Sequence, residues 1–220
     1  MMRRIGKKIR YFLTQEHQKR LRKKIANSNI TIISQNCIGG VIYSMLGMRF
    51  NSPTINMFIE DENFVKLVEN LHHYCNMSAE PLIEKYVDPI DNTISYPKIK
   101  VDDIELCCMH YKNCDDAIQA WNRRSKRVNY NNVLVIANSW NMHGNQKLIR
   151  KICENGIYHT ICFTYGTYKY INCIELKGRK WYLDARKVLK PSLTDFMPLS
   201  YKRYFEKYIS VADLINEMPN

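Results

Sequence analysis

Apolar residues along this chain gather into short runs separated by polar turns, at the spacing of strands that alternate with helices. Ile30-Thr31-Ile32-Ile33 is a β-branched run with the length and composition of a buried parallel strand, and it ends at Ser34. Gly39-Gly40 then lets the backbone turn sharply, and Val41 to Leu46 predicts a short helix closed by Gly47. A second apolar run, residues 54–59, follows Asn51-Ser52-Pro53. Asp61-Glu62-Asn63 opens a helix with apolar positions Phe64, Val65, Leu67, Val68 and Leu71. Residues 104–109 predict a strand, after which Asn113 caps a helix through Ala117, Ile118 and Trp121 into the basic stretch 123–127, where cations suit the helix dipole. Val133-Leu134-Val135-Ile136-Ala137 is the clearest strand in the chain. A helix over 145–153, a short strand over 159–163 and a helical end over 201–218 follow.

Strands that alternate with helices over this length predict an α/β fold: a mainly parallel sheet with helices on both faces, built from Rossmann-like units. The β-loop-α units beginning near Ile30 and Val133 hint at two related halves, although no residue-level repeat connects them. Residues 1–27 read as a basic amphipathic helix and 28–220 as a single domain. A half-domain boundary is placed near 81–97, where prolines, Asp and Asn interrupt the apolar pattern.

Composition narrows the function classes. With 45% hydrophobic and 25% charged residues, the chain has ordinary globular content, and no apolar run reaches the length needed to cross a bilayer. The basic N-terminus follows its charges only with Tyr11-Phe12-Leu13, too little for a cleavable signal. The eight cysteines lie inside apolar runs, with no Cys-x-x-Cys, so reduced, buried thiols and a cytosolic location are expected. The charge of +12 is uneven, because residues 1–27 carry ten Lys/Arg against Glu16 alone. Ile5, Ile9, Phe12, Leu13, Leu21 and Ile25 form a partial apolar stripe among those cations. Such a helix either docks lightly on the domain or rests on anionic lipid head groups as a peripheral contact. Nucleic acid is not expected, since no binding motif accompanies the charge and the remainder of the chain is nearly neutral.

In open α/β sheets ligands bind beyond the carboxyl ends of strands, which singles out Ser34 to Gly40, His110-Tyr111 and Asn138 to Gly144. The loop Asn36-Cys37-Ile38-Gly39-Gly40 permits close approach of a ligand, and the N–H groups at the following helix start are candidates for a phosphate or an oxyanion. It is neither the dinucleotide fingerprint nor a P-loop. Cys37 stands where a helix N-terminus lowers a thiol pKa, and His110 at a neighbouring strand end is a candidate base, so the two form a conceivable nucleophilic pair. Their alternatives are a small buried cysteine and a hydrogen-bonded core histidine. Arg124, with Arg123 and Arg127 near Trp121, suits bidentate phosphate binding. The adjacent pairs Asp102-Asp103 and Asp115-Asp116 lack the Asp-x-Asp spacing of metal-dependent sugar transferases, so no metal or cofactor is expected.

The stretch Ile32 to Gly40, with Tyr43, Leu46-Gly47 and Asn51-Ser52-Pro53, resembles a bacterial domain-of-unknown-function family commonly labelled exopolysaccharide biosynthesis proteins. The resemblance continues through Asp103-Ile104-Glu105, His110-Tyr111, Trp121, Arg123-Arg124 and the strand 133–137. It implies an α/β fold and a setting in capsule or exopolysaccharide assembly. Related sequences often end the second strand with Thr-Asp-Arg-Asp, where this chain has Ala137-Asn138-Ser139-Trp140.

These readings give the expectation of a transferase that uses a nucleotide-activated sugar or another phosphate-bearing small molecule. Ser34, Asn36, Gly39 and Gly40 would cradle the donor, Arg124 would neutralise phosphate and His110 would act as base. Tyr43, Asn51, Ser52, Tyr111, Trp121 and Asn138 complete the substrate-binding set. A Cys37-dependent hydrolase or acyl-transfer enzyme and a non-catalytic assembly protein are the rivals.

Overall fold

The computed structural model describes residues 2–26, 29–178 and 181–218, with the side chains of residues 2–5 and of Asp61 outside that description. Asn27 and Ser28, at the expected junction between the basic helix and the domain, and the side chain of Ile5 of its apolar stripe therefore lie beyond it. The helix itself, α1 (Met2–Lys24), forms as expected.

The strand read at Ile30 is β1 (Thr31–Ser34), and the helix after it, α2 (Ile38–Leu46), begins three residues earlier than the apolar run suggests. Gly47 closes α2 in the left-handed conformation, and Arg22 of α1 donates to the Met45 and Ser44 carbonyls at that end. Part of the N-terminal charge therefore caps a helix. Next come α3 (Asp61–Glu69) and α4 (Leu71–Asn76), then β2 (Glu80–Val87), β3 (Ser95–Val101) and β4 (Ile104–Cys107). The helix α5 (Cys114–Ser125) starts at Asn113, whose side chain accepts from the Asp116 N–H. It leads to β5 (Val133–Asn138) and α6 (Gln146–Cys153), the latter capped by Asn145 through the Lys147 and Leu148 N–H groups. The remaining elements are β6 (His159–Thr164), β7 (Cys173–Glu175), β8 (Tyr182–Leu183), β9 (Leu189–Lys190), a 3₁₀ turn over Tyr204–Lys207, and α7 (Val211–Asn216). No helix among the described residues is long and apolar enough to cross a membrane.

Four strands form a parallel sheet in the order β1-β5-β6-β7. Alternate residues of its fully buried strands face two cores. Ile33, Val133, Val135 and Ala137 pack under α3, α5 and α6, whereas Ile32, Leu134, Ile136 and Phe163 pack against α2, α7 and the C-terminal segments. Strands covered on both faces read as unbroken apolar runs, which is why β5 was the clearest in the sequence. Helices do lie on both faces of this sheet.

The fold is mixed α/β, and the expectation of a mainly parallel sheet is corrected. The other described strands are antiparallel, β2-β3-β4 in one sheet and β8-β9 in another. Residues 81–97, read as a boundary, mostly build β2 and β3. The proline-rich composition disguised them because β2 is largely exposed and irregular in register, with Pro81 at its start. The two β-loop-α units are neighbours in one sheet, since β1 pairs directly with β5.

Residues 57–59 join the two larger sheets. The Ile59 N–H donates to the Gln35 carbonyl at the end of β1 (3.0 Å), while Phe58 exchanges hydrogen bonds of 2.8 and 2.9 Å with Cys107 at the end of β4. This strap brings the carboxyl ends of β1 and β4 to either side of one short segment.

Candidate functional site

Cys37 lies in the loop after β1 and His110 at the tip of the turn after β4, so the strap positions both. Their side chains meet, with Cys37 Sγ 3.2 Å from His110 Nε2 although the residues are 73 apart in sequence. They border a pocket of about 410 Å³ lined also by Gln18, Gly40, Val41, Ser44, Met45, Asn56 and Arg203. The pocket opens at the carboxyl end of β1, where open α/β sheets carry their ligands.

Each side of the pair is held by local chemistry. On the Cys37 side, Ser34 Oγ donates to the Asn36 carbonyl (2.7 Å) and accepts from the Gly39 N–H (3.2 Å), and Asn36 Oδ1 accepts from the Ile38 N–H (3.1 Å). A Cβ on Gly39 would stand 2.6 Å from Ser34 Oγ, and one on Gly40 would stand 3.3 Å from Ile55 Cγ2. Gly39 lets α2 start this close to β1, and Gly40 leaves room for Ile55. Beside Gly40, Asn56 takes a left-handed conformation (φ 64°), which asparagine tolerates better than most residues. On the His110 side, the Tyr111 N–H donates to the Cys108 carbonyl (3.0 Å), and the Tyr111 hydroxyl donates to the Ile55 carbonyl (2.9 Å). Arg124 donates to that hydroxyl (2.5 Å) and to the Ile55 carbonyl (3.4 Å), and stacks on Phe50.

The rim comes from the two ends of the chain. α1 contributes Gln18, and the segment before the 3₁₀ turn contributes Arg203. Glu206 ties them together by hydrogen bonding to both His17 of α1 and the Arg203 N–H. The Arg203 guanidinium stacks on Phe196 (4.4 Å) and donates to the Thr194 carbonyl, and burial draws its pKa below the ordinary value.

Burial pushes the Cys37 thiol above its ordinary value, opposed in part by hydrogen bonding with its own backbone. The expectation that the helix start would lower this thiol is therefore corrected: desolvation outweighs the dipole of a nine-residue helix whose first N–H groups already have partners. Cys37 is a thiol at rest, with an imidazole nitrogen within reach of its proton.

Of the residues expected to bind substrate, Gly40 lines the pocket beside Cys37 and His110. Ser34, Asn36 and Gly39 lie directly beneath and shape the loop, and the Ile38 and Gly39 N–H groups expected to hold a phosphate are taken by Asn36 and Ser34. Tyr111 and Arg124 are positioning groups behind His110, so Arg124 is occupied inside the protein instead of facing a ligand. Tyr43 is fully buried, its hydroxyl accepting from the Ile32 N–H and donating to the Ile30 carbonyl. Asn51 accepts through its carbonyl from the Thr31 hydroxyl, and Ser52 is buried against Thr54. Asn138 caps its own turn through the Asn141 N–H, and Trp121 is fully buried in the core under α5. The residues that sequence reasoning missed are Gln18, Val41, Ser44, Met45, Asn56 and Arg203. Val41, Ser44 and Met45 follow from the helical face that begins at Cys37; Gln18, Asn56 and Arg203 carry no local signal.

Comparison with known proteins adds a family whose function is unknown. Residues 8–209 match the family described as Domain of unknown function (DUF1919). Over 132 residues the chain is 29% identical to an uncharacterized protein of Haemophilus influenzae, covering 60% of this chain and 58% of that protein.

Proposed function

We propose, for a chain that belongs to the DUF1919 family of unknown function, an enzyme that carries an acyl group on the Cys37 sulfur with His110 as its proton acceptor. The observation behind this reading is the 3.2 Å contact between Cys37 Sγ and His110 Nε2 at the edge of a pocket. A nucleophile needs a base within hydrogen-bond reach, and a thiol raised by burial needs one more than most. As Sγ bonds to the carbonyl carbon, its proton passes to Nε2. When the tetrahedral adduct collapses, that proton leaves with the departing group and a thioester remains. Water or an acceptor hydroxyl then attacks the thioester, giving its proton to Nε2, and the thiol is regenerated once the proton returns to sulfur.

An activated ester such as p-nitrophenyl acetate tests this directly. Mass spectrometry should find one acetyl group on Cys37, absent in Cys37→Ser and slow to form in His110→Ala. Acetylation spread over several cysteines, or a His110→Ala rate equal to that of the wild type, would sink the reading.

A second reading keeps the expectation of a phosphate-bearing activated sugar and a role in exopolysaccharide assembly. It is favoured by Arg203, a cation on the pocket wall, which takes the role first given to Arg124. A nucleotide sugar that raises the melting temperature of the wild type but not of Arg203→Ala supports it; no shift with any nucleotide sugar removes it. In this setting the exposed Ile9, Tyr11 and Phe12, together with Lys7, Lys8 and Arg10 of α1, would rest on an anionic membrane face. Vesicles containing anionic lipid should bind the full chain and lose it when Ile9 and Phe12 become Ser; equal binding by that variant refutes the membrane contact.

A further inference from the structure

Three cysteines that play no part in the pocket converge on the far side of the parallel sheet. Cys153 is the last residue of α6, Cys162 is central in β6, and Cys173 begins β7. Cys162 and Cys173 are register partners in the parallel ladder. Residues paired in this way point to the same face, here the face that α6 covers. The three sulfurs all lie within 4.8 Å of one another, and those of Cys153 and Cys173 are 3.5 Å apart. Sulfurs bound at about 2.3 Å to one tetrahedral zinc stand about 3.8 Å apart, so the observed spacing already brackets that of a shared cation.

We propose that Cys153, Cys162 and Cys173 form a three-sulfur site for a thiophilic cation, copper(I) or zinc(II). Among the described residues the group holds no carboxylate and no imidazole. An all-sulfur donor set selects soft cations and rejects magnesium, calcium and manganese. Three ligands suit trigonal copper(I) as they stand, whereas zinc would complete its tetrahedron with water. Each ligating thiol releases its proton to solvent as it binds. Cys162 is fully buried and Cys153 nearly so, while Cys173 is partly exposed and supplies the path of entry.

The backbone around the trio is pinned in the way a metal site requires. Asn172 donates through Nδ2 to the Cys153 carbonyl (3.0 Å) and accepts through its own carbonyl from the Cys162 N–H (2.9 Å). The Cys173 N–H donates to the Tyr170 carbonyl (3.0 Å). One residue between β6 and β7 therefore fixes two of the three cysteines, and a tight turn fixes the third. Buried cysteines used merely as small apolar filler need no such common focus.

The test titrates the full chain, reduced and stripped of metal under argon, with copper(I) and with cadmium as a spectroscopic substitute for zinc. A thiolate-to-metal charge-transfer band that saturates at one cation per chain is expected. It should persist in Cys37→Ser and disappear in Cys173→Ser. Saturation by either cation upholds the site, and the tighter of the two identifies it. X-ray absorption at the metal edge of the loaded wild type counts sulfur neighbours without relying on a variant that has to fold: three upholds the proposal and fewer overturns it. It is equally overturned by a band that Cys37→Ser abolishes, or by a Cys153–Cys173 disulfide that forms in air while the reduced chain takes up no metal.

Discussion

Cys37 and Cys173 are the two partly exposed thiols among the described cysteines, and they have opposite neighbours. Cys37 touches an imidazole at the edge of a pocket and is otherwise wrapped in protein, so burial pushes its thiol up. Cys173 faces two other thiols, and hydrogen bonding from Cys153 and then from Cys162 pulls it below the ordinary thiol value. The difference teaches that two half-buried thiols can shift in opposite directions, burial dominating at Cys37 and hydrogen bonds from neighbouring thiols at Cys173. The more acidic sulfur is also the one without a base beside it. Under the two proposals, the acidic sulfur would serve to hold a cation and the other would depend on proton transfer.

The sharpest way to break the contrast is to remove the imidazole. His110→Ala should slow acetylation of Cys37 by about 10²- to 10⁴-fold, the usual contribution of a positioned base, and leave alkylation of Cys173 unchanged in the same peptide map. The pH dependence comes next. Because the Cys37 pKa is raised, its thiolate is a minority at neutral pH, and alkylation by iodoacetamide in His110→Ala should climb about tenfold per pH unit up to and beyond the ordinary thiol range. Alkylation of Cys173 should rise less steeply across the same interval, since hydrogen bonding from the two neighbouring thiols draws its pKa down. A plateau for Cys37 at neutral pH would reverse the comparison.

Smaller effects separate the scaffolds of the two sites. Gly39→Ala forces a Cβ to within 2.6 Å of Ser34 Oγ and should lower stability by about 1–3 kcal/mol, read from the midpoint of urea unfolding. It should also loosen the Cys37–His110 contact without disturbing the three-cysteine group. Asn172→Ala removes the hydrogen bond to the Cys153 carbonyl and should cost about 1 kcal/mol, read in the same way, with Cys37 acetylation unaltered.

Legibility followed the range of the interactions. β1, β5, the closure of α2 at Gly47 and the cap Asn113 were readable because each depends on a few consecutive residues. Cys37 and His110 were readable as strand-end residues, but their meeting depends on residues 57–59 bridging two sheets, which periodicity does not reveal. The strand β2 hid behind Pro81 and an exposed, irregular ladder. Arg124 looked free because its partners, the Tyr111 hydroxyl and the Ile55 carbonyl, come from other segments. The cysteines at 153, 162 and 173 show no motif spacing, and only the parallel register of β6 with β7 and the end of α6 bring them together.

The two ends of α1 also have different surroundings. Thr14 is buried and Gln18 borders the pocket, whereas Ile9 and Phe12 are 55% and 64% exposed. At 1.5 Å per residue, Ile9 and Gln18 are about 13 Å apart along the axis. The His17–Glu206 contact ties the helix to the C-terminal segment on the Gln18 side, while the turns around Ile9 and Phe12 project outward. If the proposed membrane contact holds, the exposed turns around Ile9 and Phe12 would fix which way the pocket beside Gln18 faces relative to the bilayer.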